Sequence, residues 1–242
     1  MRAVLCGANG AMGKLIADVL GDRLVGRVSI DGEGGVAKTF SQLDPVKADV
    51  VIDFSHHSAV YDMLDWAEEN GCAAVIGTTG HSQQEQQRIR KAAEKIPVFQ
   101  AGNMSLGVAV LCKLAKQAAA MLPDADIEIL EIHHNRKADA PSGTAKMLFE
   151  AVQSARPELT AVCGRAGEGK RQPDEVGISS LRMGNVVGVH EVHICTPSQT
   201  LTLRHEAHDR AMFAQGAVEA AEFVAGKAPG LYGMTHMLED KA

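Results

Sequence analysis

Residues 131–145 read Glu-Ile-His-His-Asn-Arg-Lys-Ala-Asp-Ala-Pro-Ser-Gly-Thr-Ala, with two histidines, an arginine and a lysine within five positions of a chain whose formal net charge is −6. Such a cluster can hold an anion and move a proton, because histidine titrates near neutrality and lysine supplies a fixed cation. Pro141 closes the loop, and Ser142 is the residue type that caps a helix starting near Gly143. The first-turn amides of Gly143 and Thr144, with the Thr144 hydroxyl beside them, then form a carboxylate site. His133, His134 and Lys137 are the candidate charge partners and proton source. A metal is not expected: neighbours on a strand point to opposite faces, and no third ligand stands at a convincing spacing. A solvated basic loop, or an anion-binding turn without catalysis, would use the same residues, and the segment alone does not separate these readings.

A second constellation opens the chain. Gly7, Ala8, Asn9, Gly10, Ala11, Met12 and Gly13 follow an apolar run and precede a helical pattern. Glycines spaced G-x-x-G-x-x-G at a strand-to-helix turn let the backbone approach a pyrophosphate, whose charge the helix N-terminus stabilises. An acid for the adenosine ribose is expected about 20 residues on. Asp31 is the nearest, with Glu33 close behind, and Arg27 is a candidate for a 2′-phosphate, so the choice between NADH and NADPH stays open. Gly77, Thr78 and Thr79, and then Ala101, Gly102, Asn103 and Met104, follow two further strand patterns. Strand ends of that kind bind ligands in open α/β sheets, although either could be an ordinary turn.

The elements that must position these residues are legible in outline. Residues 4–6, 24–28, 50–54, 73–76 and 97–99 are short apolar runs without strict alternation, as strands buried on both faces require. Residues 12–20, 59–69 and 83–94 carry helical spacing, and a longer helix is expected over 106–121. This alternation implies a doubly wound, Rossmann-type parallel sheet. From residue 126 the texture changes: 127–134 alternates, 143–154 is helical, and 177–182, 189–195 and 201–205 suggest successive antiparallel strands. A final helix over 212–225 is taken to return to the first domain. The expected fold is α/β, with a dinucleotide-binding domain over 1–104 and 212–242. A second, α+β domain with a mixed or antiparallel sheet spans 105–211.

Bulk properties restrict the function classes. The chain has 242 residues, 45% hydrophobic and 22% charged, which is enough for a real core under an ordinary surface. No apolar run approaches the roughly 20 residues of a membrane span, and the N-terminus leads straight into a strand pattern instead of a signal peptide. Net acidity argues against nucleic acid as a main partner. Cys6, Cys72, Cys112, Cys163 and Cys195 are widely spaced, as reduced thiols of a cytoplasmic protein would be.

Taken together, these strings resemble the 4-hydroxy-tetrahydrodipicolinate reductase family, formerly dihydrodipicolinate reductase. The most specific is the HH…K…DAPSGT segment. GANGAMG, VIDFS at 51–55, VIGTTG at 75–80, AGNMSLGV at 101–108, RQPDEVGISSLRMGNVVG and FAQGAVEAAEF support it, so the resemblance runs nearly end to end. It implies an oxidoreductase of diaminopimelate and lysine biosynthesis that uses NADH and/or NADPH on a small cyclic imine dicarboxylate. It also implies a homotetramer built through the sheets of the second domain. Within it, His133 would be the acid/base residue and Lys137 the proton donor, while His134, Ser142, Gly143 and Thr144 would bind substrate carboxylates. Gly7, Ala8, Asn9, Gly10, Ala11 and Met12 would hold the pyrophosphate, and Gly77, Thr78, Thr79, Ala101, Gly102, Asn103 and Met104 would line the nicotinamide side. Two departures stand out. Ile30 or Asp31 occupies the acid's place inside a short glycine-rich loop, and Gly188-Val189-His190 replaces the frequent Gly-Glu-His. The rival readings are another NAD(P)-dependent dehydrogenase of small carboxylates and a non-catalytic dinucleotide sensor; neither has an evident use for the clustered His, Lys and Ser-Gly-Thr.

Overall fold

The computed structural model describes residues 1–241, and the chain divides into two compact units. Unit 1 comprises Met1–Ser105 and the segment from Ala211 on; unit 2 is Leu106–Arg210.

Unit 1 is built on a parallel sheet of β1 (Ala3–Cys6), β2 (Leu24–Val28), β3 (Val50–Asp53), β4 (Ala73–Ile76), β5 (Pro97–Gln100) and β11 (Gly230–Tyr232). Its order is β11-β5-β4-β3-β1-β2, and every pairing is parallel. All residues of β1, β3 and β4 are buried, which explains why these runs are apolar without alternation. Helices α2 (Val60–Asn70) and α3 (Gln83–Ala93) cover one face, where Met63, Leu64 and Ile89 meet Val4, Val51 and Ile76. Helices α1 (Ala11–Leu20) and α6 (Ala211–Val224) pack together; from α6, Phe223 sets its ring edge-on to Phe99 of β5 at 6.0 Å. Ser82 caps α3 reciprocally with Glu85, and Gly71 ends α2 at φ 62°. Because β1 lies between β2 and β3, the chain reverses its winding direction there, and the crevice falls at the carboxyl ends of β1 and β3.

Unit 2 carries a mixed sheet of β6 (Asp126–His133), β7 (Thr160–Cys163), β8 (Glu175–Arg182), β9 (Gly188–Thr196) and β10 (Gln199–Ala207), in the order β10-β9-β6-β8-β7. Helices α4 (Leu106–Met121) and α5 (Gly143–Ala155) cover one face, with Leu111, Ala115, Leu148 and Val152 packed on Ile127, Ile129, Val176 and Ile194. The three strand patterns expected to be successively antiparallel are so in direction, β9 running against β8 and β10 against β9. What the pattern did not give is that β6 lies between β8 and β9, and that β8 pairs parallel to β6 and to β7. Alternation reports a half-covered strand and says nothing of its direction; α5 crosses over the sheet before β7 and so makes parallel pairing possible. The turn after β8 wraps the end of β6, with Met183 N–H donating to His133 O (2.8 Å) and Asn135 N–H to Gly184 O (3.2 Å). The sequence pattern also passed over β7, β11 and α7 (Met234–Asp240), which are 4, 3 and 7 residues long.

Candidate functional site

In unit 1 the glycine loop packs against the end of β3. Gly7 has φ 83°, and a Cβ there would lie 2.3 Å from Phe54 O; a Cβ on Gly13 would lie 2.1 Å from Gly7 O. Both positions therefore require glycine. Gly10 differs: it is exposed, and a Cβ there would meet only Gly7 O, at 3.2 Å. Gly7 and Ala8 N–H donate to Val28 O at 2.8 and 3.2 Å, which ties the loop to β2. Beyond it, the first-turn amides of α1, from Ala11 and Met12, have no i−4 acceptor within the helix. A backbone cradle of this kind could hold a pyrophosphate.

Beside the loop lies a cavity of about 530 Å³, lined among others by Gly7, Asn9, Gly10, Asp31, Lys38 and His56. The Asn9 side-chain amide donates to Asp31 Oδ1 at 2.5 Å, and that bond holds the Asp31 carboxyl below its ordinary pKa. Arg27 is exposed on β2 and does not line the cavity; Lys38, unmarked by the sequence reading, does. A second cavity of about 320 Å³ is lined by Met12, Gly77, Thr78 and Thr79, and shares Phe54, Ser55 and His56 with the first. Ser55 N–H donates to Thr78 Oγ1 (2.9 Å), and a Cβ on Gly77 would sit 2.3 Å from the Phe54 ring. Ala101 N–H donates to Ile76 O (3.1 Å), a Cβ on Gly102 would lie 3.6 Å from the Thr79 methyl, and Asn103 Oδ1 accepts from Ser105 N–H (2.8 Å). Met104 is 2% exposed and its carbonyl packs against Gly216 of α6, so its side chain belongs to the core of unit 1.

In unit 2 the polar ends of three strands meet on the helix-facing side of the sheet. Strand parity puts Glu131 and His133 on the face of Ile127 and Ile129, and the register sets Glu131 level with Ser180 and His190. Glu131 is fully buried. Its carboxylate accepts from both Arg182 terminal nitrogens (2.8 and 2.7 Å), from His133 Nδ1 (2.5 Å) and from Ser142 N–H (3.1 Å). Burial alone would raise its pKa; the Arg182 and His133 hydrogen bonds prevail and hold it at about 2.

Ser142 does what its type predicts. Its Oγ accepts from Ala145 N–H (3.1 Å), capping α5, and also bonds His190 Nε2 at 3.0 Å. Gly143 and Thr144 thus open a helix whose first turn is anchored to Glu131 and His190. Burial, then the charge of His133, pushes the His190 pKa down to about 4. His134 follows β6 at the start of the loop; partial desolvation and then the neighbouring Arg136, Arg210, His133 and Lys137 lower its pKa. Lys137 pairs with Asp139 (2.7 Å), and Asp139 O accepts from Arg182 (2.6 Å). Sequence reasoning missed Glu131, Arg182 and His190 as members of this site. The signal for Glu131 was there: a carboxylate on the apolar parity of a strand must have a partner.

Among the described residues, no three His, Cys, Asp or Glu side chains converge as metal ligands, and no helix is long and apolar enough to cross a membrane. All five cysteines are free thiols.

Comparison with known proteins gives these sites a lineage. Residues 1–104 match the family "Dihydrodipicolinate reductase, N-terminus", and 107–238 match "Dihydrodipicolinate reductase, C-terminus". The chain is 43% identical over 242 residues to a 4-hydroxy-tetrahydrodipicolinate reductase of Alkaliphilus oremlandii, covering 98% of each. It is 42% identical over 249 residues to the Caulobacter vibrioides enzyme of the same name, covering 98% of this chain and 97% of that one. Among solved structures, a dipicolinate-bound dihydrodipicolinate reductase from Paenisporosarcina sp. TG-14 superimposes with a TM-score of 0.78 at 26% identity, covering 98% of this chain and 99% of that one. An aspartate dehydrogenase from Thermotoga maritima shares the fold alone, with a TM-score of 0.53 at 12% identity over 94% of this chain and 98% of that one. With both of its parts matched by the family and full-length relatives above 40% identity, the chain belongs to the dihydrodipicolinate reductase family.

Proposed function

We propose that the chain reduces 4-hydroxy-tetrahydrodipicolinate, by way of dihydrodipicolinate, to tetrahydrodipicolinate, the reductive step of diaminopimelate and lysine biosynthesis. The observation that carries this reading is in unit 2. His133 and the capped N-terminus of α5 both bond Glu131, so a proton carrier and a carboxylate site are held together.

In this reading a reduced nicotinamide dinucleotide bound by unit 1 supplies the hydride. Gly7, Ala8, Asn9, Gly10, Ala11 and Met12 face its pyrophosphate. Gly77, Thr78, Thr79, Ala101, Gly102 and Asn103 border the nicotinamide side, and Met104 supports them from the core. Asp31 accepts from a ribose hydroxyl. Lys38 lines the same cavity, its stem lies over Gly32, and it has no ion-pair partner among the described residues. It is the cation for a 2′-phosphate, so the chain accepts NADH and NADPH.

On the substrate side, Ser142, Gly143 and Thr144 receive one carboxylate at the start of α5, where the helix dipole favours an anion. His134 receives the other, in the field of Arg136 and Arg210. Reduction of the conjugated imine moves electron density towards the ring nitrogen. Lys137, drawn from Asp139 by the incoming dianion, or protonated His133 stabilises that charge and gives the balancing proton.

The chain forms a homotetramer through the face of the unit 2 sheet that α4 and α5 leave open. The cross-strand pair Ile132 and Leu181 lies on that face, with Leu181 45% exposed. Five free thiols suit a reducing cytoplasm.

The test is oxidation of NADH and of NADPH, followed by absorbance, with substrate made in situ from pyruvate and aspartate semialdehyde by the preceding synthase. Consumption that needs both proteins is expected. Folded protein that binds cofactor yet consumes none would move the reading to a sensor or to another dehydrogenase.

A further inference from the structure

Glu131 is a buried carboxylate that holds His133 and the cap of α5 but itself takes no part in the hydride and proton transfers just described. A carboxylate out of water needs every lone-pair direction answered, and here the donors are an unusual set. Oε2 takes His133 Nδ1 and Arg182 Nη1; Oε1 takes Arg182 Nη2 and the Ser142 N–H. A buried ion pair that served only the sheet would need Arg182 alone. This one also reaches a candidate proton carrier, the cap of α5 and, through Arg182, the Asp139 carbonyl in the loop that carries Lys137.

We propose that Glu131 is a positioning residue for the reaction, fixing His133 in the tautomer that carries its proton on Nδ1. The proposal rests on the reading of His133 as the acid/base residue. An ionised carboxylate can only accept, so the nitrogen it bonds must donate. The neutral His133 ring therefore keeps Nε2 bare, and among the described residues Nε2 has no protein hydrogen-bond partner. A Cβ on Gly188 would approach that nitrogen to 3.2 Å, so the glycine leaves room beside it. The edge of the His190 ring, 5.1 Å away between centroids, limits rotation of the His133 ring. Nε2 is thus the atom at which a proton arrives and leaves, and Glu131 decides that it is this one. The same carboxylate holds the Ser142 N–H, so acid/base atom and carboxylate site are set by one group.

The substitution Glu131→Gln shows why an isostere does not suffice. Each carboxylate oxygen already faces an Arg182 donor, so the amide NH2 meets a donor at either place. Where it takes the Oε2 place it donates to His133 Nδ1 and drives the proton to Nε2, the wrong tautomer. Replacing Arg182 as well, in Glu131→Gln/Arg182→Met, removes the clash of donors, but the Ser142 N–H still claims the amide oxygen at the Oε1 place, so the NH2 faces His133 Nδ1 and the wrong tautomer remains.

The experiment has two parts, both on the full-length protein. Nitrogen-15 NMR of histidine-labelled protein, with the His133 signal assigned from a His133→Asn sample, reads the wild-type tautomer without any turnover. Proton on Nδ1 is expected, and a ring protonated mainly on Nε2 would overturn the proposal outright. In the coupled assay, Glu131→Gln and the double variant are compared with wild type for kcat, KM, cofactor Kd and Tm. The double variant is expected to recover most of the Tm lost by Glu131→Gln. Its kcat is expected to stay lower than wild type by on the order of 10²-fold, with cofactor Kd within about twofold. If kcat returns together with Tm, Glu131 is structural only. Wild-type protein inactive in the same assay would instead sink the reading of the reaction, whatever the tautomer.

Discussion

The cavity of unit 1 and the polar cluster of unit 2 are built from different materials. In unit 1 the loop is backbone: Gly7 and Gly13 are held by contacts no side chain could enter, and Gly10 is left open. In unit 2 the work falls to side chains from three strands, with Glu131 and His190 buried and the half-buried Arg182 paired to the Glu131 carboxylate. A backbone cradle recognises a group shared by many ligands and has nothing in it to titrate. A side-chain cluster can carry protons, and it depends on charge, protonation and the exact partners present. Substitutions in the two regions should therefore fail in different ways.

The largest separation is expected from Lys137→Ala. If Lys137 gives the balancing proton, kcat falls by about 10²- to 10⁴-fold, the usual range for a general acid, while cofactor Kd measured by nicotinamide fluorescence stays put. A variant that loses cofactor affinity and keeps its kcat would place Lys137 in the wrong half of the chemistry.

Next in size is the response to acid. Burial keeps His190 neutral in the fold down to about pH 4, whereas an unfolded histidine takes its proton near 6.5. The folded pKa is depressed, so the unfolded chain binds the proton first. Stability is present above about 6.5 and is lost as pH falls towards 4, by up to about 3 kcal/mol. Glu131 follows: its folded pKa of about 2 lies below the ordinary 4.5, so its contribution is lost between those values. Urea midpoints of wild type and His190→Gln at pH 7 and 4.5 check the first window. The variant should lose less over that interval, and equal losses would clear His190 of the effect.

Gly13→Ala probes the other material. Its Cβ would sit 2.1 Å from Gly7 O, and backbone has to move to admit it. Overpacking of this kind costs about 1–3 kcal/mol, and the displaced loop should weaken NADH and NADPH alike by about tenfold, with kcat at saturating cofactor nearly unchanged. Gly10→Ala, with only a 3.2 Å contact, should cost the fold little. Equal stability losses in the two variants would contradict the division of labour within the loop.

The same contrast governs what the sequence could reveal. A backbone site leaves a local mark, so G-x-x-G-x-x-G between an apolar run and a helix located the cradle, and the Ser142 cap at the start of α5 was equally local. The sheet of unit 1 was legible because strands buried on both faces have no polar residues to confuse their pattern. In unit 2, Arg182 and His190 lie 51 and 59 residues from Glu131. They join it through strand register, Arg182 because β8 runs parallel to β6 and His190 because β9 runs antiparallel to it, pairings that alternation does not encode. Lys38 escaped for a related reason: it enters the cavity from a loop beyond β2, whereas the familiar position for such a cation is at the strand's end.

Lys38 also gives the smallest and most selective effect. In the proposed reading Asp31 would accept a ribose hydroxyl and repel a phosphate, since the Asn9 hydrogen bond lowers its pKa; that geometry alone would favour NADH. A lysine on the wall of the same cavity offsets the repulsion when a 2′-phosphate is present and does little when it is absent. At the exposed mouth of a cavity an ion pair contributes about 1 kcal/mol or somewhat less. Lys38→Gln should therefore weaken NADPH by roughly fivefold, and less at high salt, where screening weakens such pairs. NADH affinity should hardly move. Titration of both cofactors against both proteins at low and high salt gives four ratios. A loss shared equally by the two cofactors would mean that Lys38 supports the cavity wall and does not read the phosphate.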